Sequence, residues 1–257
     1  LDAAMGELKK KGMKSLVLDL RNNPGGLLQQ AIKIVSRFVP EDKTVVSVKG
    51  RSRGEKMTDL VAEGGKTEDF PLVVLINGGS ASASEIVAGA IQDYNRGVIV
   101  GTGSFGKGLV QRPFDLPYGT RITLTTARYY TPYGRSLQRD YSNGSIYDYY
   151  THNDDGGDDA SGEVKPTPAG SPVTTANGRV LYGGRGIEPD VKATPTPFTP
   201  LRGRLNEAAF FFVRQLVAGQ IKGFENLRRD KQSFVLTIAQ DEFQINEKLL
   251  DAFRQFV

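Results

Sequence analysis

Two unbroken apolar runs constrain this chain more than any other feature. Ser15-Leu-Val-Leu-Asp-Leu20 and Leu72-Val-Val-Leu-Ile76 are short and nearly free of polar residues. Runs of that kind are expected as strands covered on both faces. Each ends in a turn, Arg21-Asn-Asn-Pro-Gly-Gly26 in the first case and a Gly/Ser turn from Asn77 in the second. Each turn leads into a helical pattern. Leu27, Leu28, Ala31, Ile32, Ile34, Val35 and Phe38 fall largely on one face, and Ala83, Ile86, Val87, Ala90, Ile91 and Tyr94 recur at helical spacing. A third apolar run, Gly97-Val-Ile-Val-Gly101, follows. Repeated strand–turn–helix units predict an α/β domain.

The rest of the chain is read around that frame. Asp2 to Lys11 is expected as a helix stopped by Gly12, and Thr44 to Lys49 as a strand. Gly50 to Phe70 reads as a polar excursion. Leu109 to Leu116 and Arg121 to Tyr130 read as β, joined by the turn Pro117-Tyr-Gly-Thr120. An α/β core over 1–141 gives way to a loop over 142–178, rich in Gly, Pro and Asp, which cannot bury much surface. Its cluster Asp154-Asp-Gly-Gly-Asp-Asp159 lacks the spacing and closing Glu of a calcium-binding EF-hand, so no metal site is expected. The core returns over 179–200. A helical segment over 201–257 carries an apolar stripe through Leu205, Ala209, Phe212, Val213 and Leu216. Opening on Leu1 within a helix, the sequence reads as a piece of a longer chain.

Composition removes several classes of chemistry. With no cysteine there is no thiol nucleophile, disulfide or zinc–thiolate site. The net charge of +4 is mild, and no Lys/Arg run carries interleaved aromatics, so no nucleic-acid partner is expected. No stretch approaches the roughly 20 apolar residues of a membrane span. The one histidine, His152, lies in the acidic loop, a poor place to hold an imidazole in register.

A nucleophilic serine in such a chain must therefore take its base from a lysine or a carboxylate. Ser82 opens Ser-Ala-Ser-Glu85, the capping-box pattern, just ahead of an apolar-striped helix. It reads as a helix cap. The same geometry also exposes a serine beside the first helical N–H groups, which can stabilise an oxyanion, Ala83 N–H first. Lys107 lies in Gly103-Ser-Phe-Gly-Lys-Gly108, at the end of a buried strand, on a loop able to bend back toward Ser82. A lysine base must be neutral, a form that burial near Val100, Phe105 and Leu109 would favour. Gln111, four residues on, shares a face with Lys107 in either a strand or a helix, and a neutral amide can orient an amine without adding charge.

These segments carry a family resemblance. Leu16-Val-Leu-Asp-Leu-Arg-Asn-Asn-Pro-Gly-Gly26, Pro71-Leu-Val-Val-Leu-Ile-Asn77, Ser80-Ala-Ser-Ala-Ser-Glu85, Gly106-Lys-Gly-Leu-Val-Gln111 and Gly183-Gly-Arg-Gly-Ile-Glu-Pro-Asp190 resemble the carboxy-terminal processing proteases, the tail-specific serine peptidases of family S41. The resemblance runs in order from about residue 15 to 191. It implies Ser82 as nucleophile, Lys107 as general base and Gln111 as its orienting partner. It also implies an oxyanion hole from Ala83 N–H and the N–H of Gly25 or Gly26. No cofactor is implied. The implied substrate is a protein or peptide with an exposed C-terminus, the implied setting extracytoplasmic (bacterial periplasm or cell envelope), and the protein often a homodimer. Such proteases carry a PDZ domain ahead of the core, and nothing in this sequence resembles one.

Three other readings compete. Gly101-Thr-Gly-Ser-Phe-Gly-Lys-Gly108 imitates a phosphate-binding loop but has Gly108 where a Ser or Thr must meet magnesium. A catalytically silent peptide-binding or scaffold module would not need Ser82, Lys107 and Gln111 together. A non-peptide acyl hydrolase would use the same machinery.

Overall fold

The computed structural model describes residues 1–50, 57–139, 170–193, 199–228 and 245–257. The chain forms two compact units, Leu1–Pro195 and Thr196–Val257.

The first unit opens with α1 (Asp2–Lys10), followed by β1 (Leu16–Asp19) and α2 (Leu28–Val35). Next come β2 (Thr44–Gly50), β3 (Thr58–Val61), β4 (Leu72–Ile76), α3 (Ala83–Asp93) and β5 (Val98–Gly101). A long hairpin of β6 (Leu109–Asp115) and β7 (Arg121–Tyr130) follows, then the short strands β8 (Val173–Thr174), β9 (Val180–Leu181) and β10 (Val191–Lys192). One sheet is parallel, in the order β1-β4-β5-β10. The other is antiparallel, in the order β3-β2-β7-β6. The core between these layers holds Val35, Phe38, Val46, Val74, Ile76, Val87, Ile91 and Ile99, all nearly inaccessible to solvent. The mixed α/β architecture follows the strand–turn–helix periodicity.

Three expectations need correction. β1 is not covered on both faces: Leu16 and Leu18 pack on the core while Val17 is exposed, as is Val98 on the interior strand β5, so the parallel sheet is only partly covered on its second face. The polar excursion contains β3, whose Leu60 packs on the core opposite Val46. Its polar neighbours concealed a strand that needs only one apolar face. Within the expected loop, Val173–Thr174 pairs with Val180–Leu181 in a two-stranded sheet. The loop's acidic cluster and His152 lie outside the described residues.

The second unit holds α4 (Pro200–Val217) and α5 (Glu247–Phe256). Thr199 caps α4, its hydroxyl accepting the Arg202 N–H. Phe212 and Leu216 of the expected stripe are buried with Phe224 and Leu249, whereas Leu205 and Val213 are exposed. The buried seam is narrower than helical periodicity alone implied.

Candidate active site

Sheet order places the candidate residues. β1, β4 and β5 are parallel neighbours with their carboxyl ends aligned: Asp19 is level with Leu75, and Ile76 with Gly101. The turns leaving those three strands carry Gly25 and Gly26, Ser82, and Lys107 respectively. Loops at the carboxyl ends of parallel strands are the usual place for a site in an open α/β sheet. Here the serine turn occupies the middle position, flanked by the glycine turn and the lysine loop.

The glycine turn is fastened to the serine turn by a dense set of bonds. Asn22 and Asn77 exchange hydrogen bonds: Asn22 N–H donates to Asn77 Oδ1 at 2.8 Å, and Asn77 Nδ2 donates to Asn22 Oδ1 at 2.9 Å. The Ser80 hydroxyl donates to the Leu20 carbonyl at 2.7 Å. The Asn23 carbonyl accepts from Ala81 N–H and the Ser84 hydroxyl, each at 3.0 Å. Gly25 lies directly against this turn at φ +97°. A Cβ there would stand 2.6 Å from the Ala81 carbonyl oxygen and 2.8 Å from Ala83 N. Only glycine allows that approach. Ser82 itself has φ 55° and ψ −114°, an unusual conformation for a residue with a side chain, at the N-cap of α3.

The lysine loop reaches back by a second close approach. Gly101 has φ +135°, and a Cβ there would fall 1.9 Å from the Ile76 carbonyl oxygen. The backbone then closes on the serine turn, with Phe105 N–H donating to the Ser80 carbonyl at 3.0 Å. On either side of Lys107 the chain is pinned. Gly106 C=O accepts from Arg139 N–H, Gly108 N–H donates to Gln138 Oε1, and Gly108 C=O accepts from Tyr129 N–H.

The residue that joins the two turns is Glu85. Its Oε2 accepts the N–H of Ser82 and the N–H of Lys107, each at 2.8 Å. The backbone nitrogens of the two candidate residues are therefore no more than twice that distance apart. Its Oε1 accepts the Ser104 hydroxyl at 2.6 Å and Gly106 N–H at 2.7 Å. Glu85 is fully buried, and that desolvation pushes its carboxyl pKa up, while its four hydrogen bonds oppose the rise. The three N–H partners can only donate, so the ionised form is the one they satisfy. Ser104 in turn accepts Ile187 N–H at 2.7 Å, which links the Gly183–Asp190 segment to the same carboxylate.

Of the residues expected from sequence, Ser82, Ala83, Gly25 and Lys107 thus converge on one corner. Gly26 is exposed beside them, and a Cβ there would stand in open space. Gln111 is exposed on β6 opposite Thr125, just past a bulge at Val110/Gln111. In the sequence Glu85 reads only as half of a capping box. Its signal is a carboxylate set in the largely apolar run Ile86-Val-Ala-Gly-Ala-Ile91 and its flanks, in a helix whose every residue from Ala83 to Asp93 is buried. Ser104 and Ile187 have no such signal, being brought together across 83 residues of chain.

Fold and site together define an α/β core with a polar constellation at the carboxyl ends of parallel strands. The chain belongs to peptidase family S41, whose family model matches residues 1–150. It is 49% identical over 142 residues to a carboxy-terminal-processing protease of Bartonella bacilliformis, a match covering 54% of this chain and 32% of the relative. It is 46% identical over 136 residues to a carboxyl-terminal-processing protease of Synechocystis, covering 53% of this chain and 31% of the relative. The chain thus spans about a third of the length of these relatives. Among solved structures it resembles the photosystem II D1 C-terminal processing protease, with TM-score 0.53 and 32% identity over 75% of this chain and 38% of that one. Among the described residues, no helix is long and apolar enough to cross a membrane.

Proposed function

We propose that the chain carries the catalytic core of a serine endopeptidase that cleaves proteins or peptides near their C-terminus through an acyl-enzyme on Ser82. One observation carries this reading: a single buried carboxylate oxygen holds both Ser82 N–H and Lys107 N–H. A cap alone would not need the lysine loop bound to it.

In this mechanism neutral Lys107 takes the Ser82 proton as Oγ attacks the scissile carbonyl carbon. The carbonyl π pair moves onto oxygen, where Ala83 N–H at the start of α3 and a turn glycine N–H stabilise it. Gly25 N–H is already donated to Asn23 Oδ1 at 2.9 Å. Gly26 N–H has no acceptor among the described residues, which favours Gly26 as the second donor and gives Gly25 the role of close packing. The intermediate collapses as the lysine returns the proton to the leaving amine. Water, deprotonated by the same lysine, then releases the acyl group. Gln111 orients the amine from β6.

Beside the two glycines, Leu20, Leu27, Ala31, Ile34, Ala83 and Val87 line a cavity of about 100 Å³. It suits a small apolar substrate side chain next to the scissile bond. Family resemblance extends the proposal to an extracytoplasmic setting, which fractionation of the producing cell would check.

The deciding experiment is digestion of an unfolded protein by wild type and by Ser82→Ala, with products read by mass spectrometry. Cleavage by wild type alone is expected. Equal cleavage by both would reduce Ser82 to a helix cap. Loss of that cap costs about 1 kcal/mol, so the variant remains folded.

A further inference from the structure

The antiparallel sheet presents a second feature beside the lysine loop. Val46, Leu60 and Tyr129 of this sheet pack on the main core. Side chains one residue out of phase project from the opposite face. There Arg128 stands between Lys49 on β2 and Leu109 on β6, directly in register with both. The three line a groove of about 480 Å³ together with Thr125 and Tyr130. Thr125 is the register partner of Gln111, so the groove runs beside the strand that leaves the lysine loop.

Lys49 and Arg128 are like charges directly opposite each other on neighbouring strands, an arrangement that destabilises a sheet. Both are exposed, and among the described residues neither is paired with a carboxylate. The nearest acidic group by register, Asp59 opposite Ser47, accepts the Ser47 hydroxyl. Two cations facing one groove, unpaired among the described residues, suit a bridging anion, and arginine with lysine suits a carboxylate.

We infer that Lys49 and Arg128 form a carboxylate-binding subsite that holds the peptide substrate at a fixed distance from Ser82. This rests on the peptidase reading above. Arg128 is one strand spacing, about 4.8 Å, from Leu109, and Leu109 is two residues, roughly 7 Å, from Lys107. The backbone between the two cations is then on the order of 10 Å from that of Lys107, the span of about three extended residues. The subsite therefore selects substrates with a carboxylate about three residues from the scissile bond. The carboxylate is either the free C-terminus or an Asp or Glu side chain.

The test uses one peptide sequence in three forms: a free C-terminal acid three residues beyond the scissile bond, its amide, and the amide with Asp at that position. Relative kcat/KM is measured for wild type and for the Lys49→Gln/Arg128→Gln double variant. Wild type should favour one or both carboxylate forms over the plain amide by about tenfold, and the form favoured identifies the source. In the double variant that ratio should fall to about one. A second variant, Lys49→Glu/Arg128→Glu, should favour a peptide with Lys at the same position. A wild-type ratio near one, or a ratio untouched by the substitutions, overturns the inference. Binding of the same labelled peptides to Ser82→Ala separates the two proposals. Tighter binding of the carboxylate forms, abolished by Lys49→Gln/Arg128→Gln, upholds the subsite even if wild type cleaves nothing.

Discussion

The β4–α3 corner and the β6–β7 hairpin flank the lysine loop, and they are built on opposite terms. Every residue of α3 is buried, and the serine turn is held by the Asn22–Asn77 exchange and by Glu85. The hairpin is exposed on both faces from Gln111 to Thr125, with Phe114, Ile122 and Leu124 among its exposed residues. The serine is thus positioned by packing and by fixed backbone bonds. Gln111 stands at the root of an arm with little packing. The lysine backbone belongs to the first regime, because Glu85, Gln138, Arg139 and Tyr129 grip the residues around it.

The largest effect should come from Lys107→Arg, which keeps the positive charge but cannot shed its proton. Peptide turnover should vanish, and full activity in that variant would remove the lysine from the mechanism. Next comes Glu85→Gln. Its amide would turn donor hydrogens toward either the Ser82 and Lys107 N–H groups or the Ser104 hydroxyl and Gly106 N–H. The expected cost is about 2–3 kcal/mol in denaturant unfolding. Turnover should fall about a hundredfold through kcat, since the Ser82–Lys107 alignment is lost; a fall confined to KM would argue against a positioning role.

Gly25→Ala should cost about 2 kcal/mol from the left-handed backbone and the contact with Ala81 and Ala83. Gly26→Ala, in open space, should change stability by less than 0.5 kcal/mol and retain activity because its N–H remains. Similar losses in both would mean that the turn is not seated as described. The smallest effect belongs to the hairpin: Phe114→Thr should shift stability by no more than about 0.5 kcal/mol. A loss of several kcal/mol would place the arm in the same cooperative unit as the serine corner.

Sequence made the parallel sheet legible because its central strand and helices are apolar enough to declare their period. It suggested the proposed Ser82–Lys107 pair because a chain with no cysteine and one badly placed histidine leaves few bases. β3 escaped notice because Leu60 is its single core contact among polar neighbours. The narrowing of the α4 seam to Phe212 and Leu216 depends on what packs against it, which periodicity does not state. Ser104 and Ile187 escaped for a different reason. Their roles are made by contacts between distant segments, where no local pattern exists to read.

The Ser104–Ile187 bond has a bearing on the birth of the protein. Chain synthesis delivers Ser82, Glu85 and Lys107 long before Ile187, the amide that binds the Ser104 hydroxyl. Until that late segment arrives, the carboxylate joining the serine and lysine turns lacks its last support. On the proposed mechanism, a nascent chain at that stage would carry Ser82 and Lys107 without their finished alignment, so cutting of its neighbours, or of itself, is expected only after it has folded.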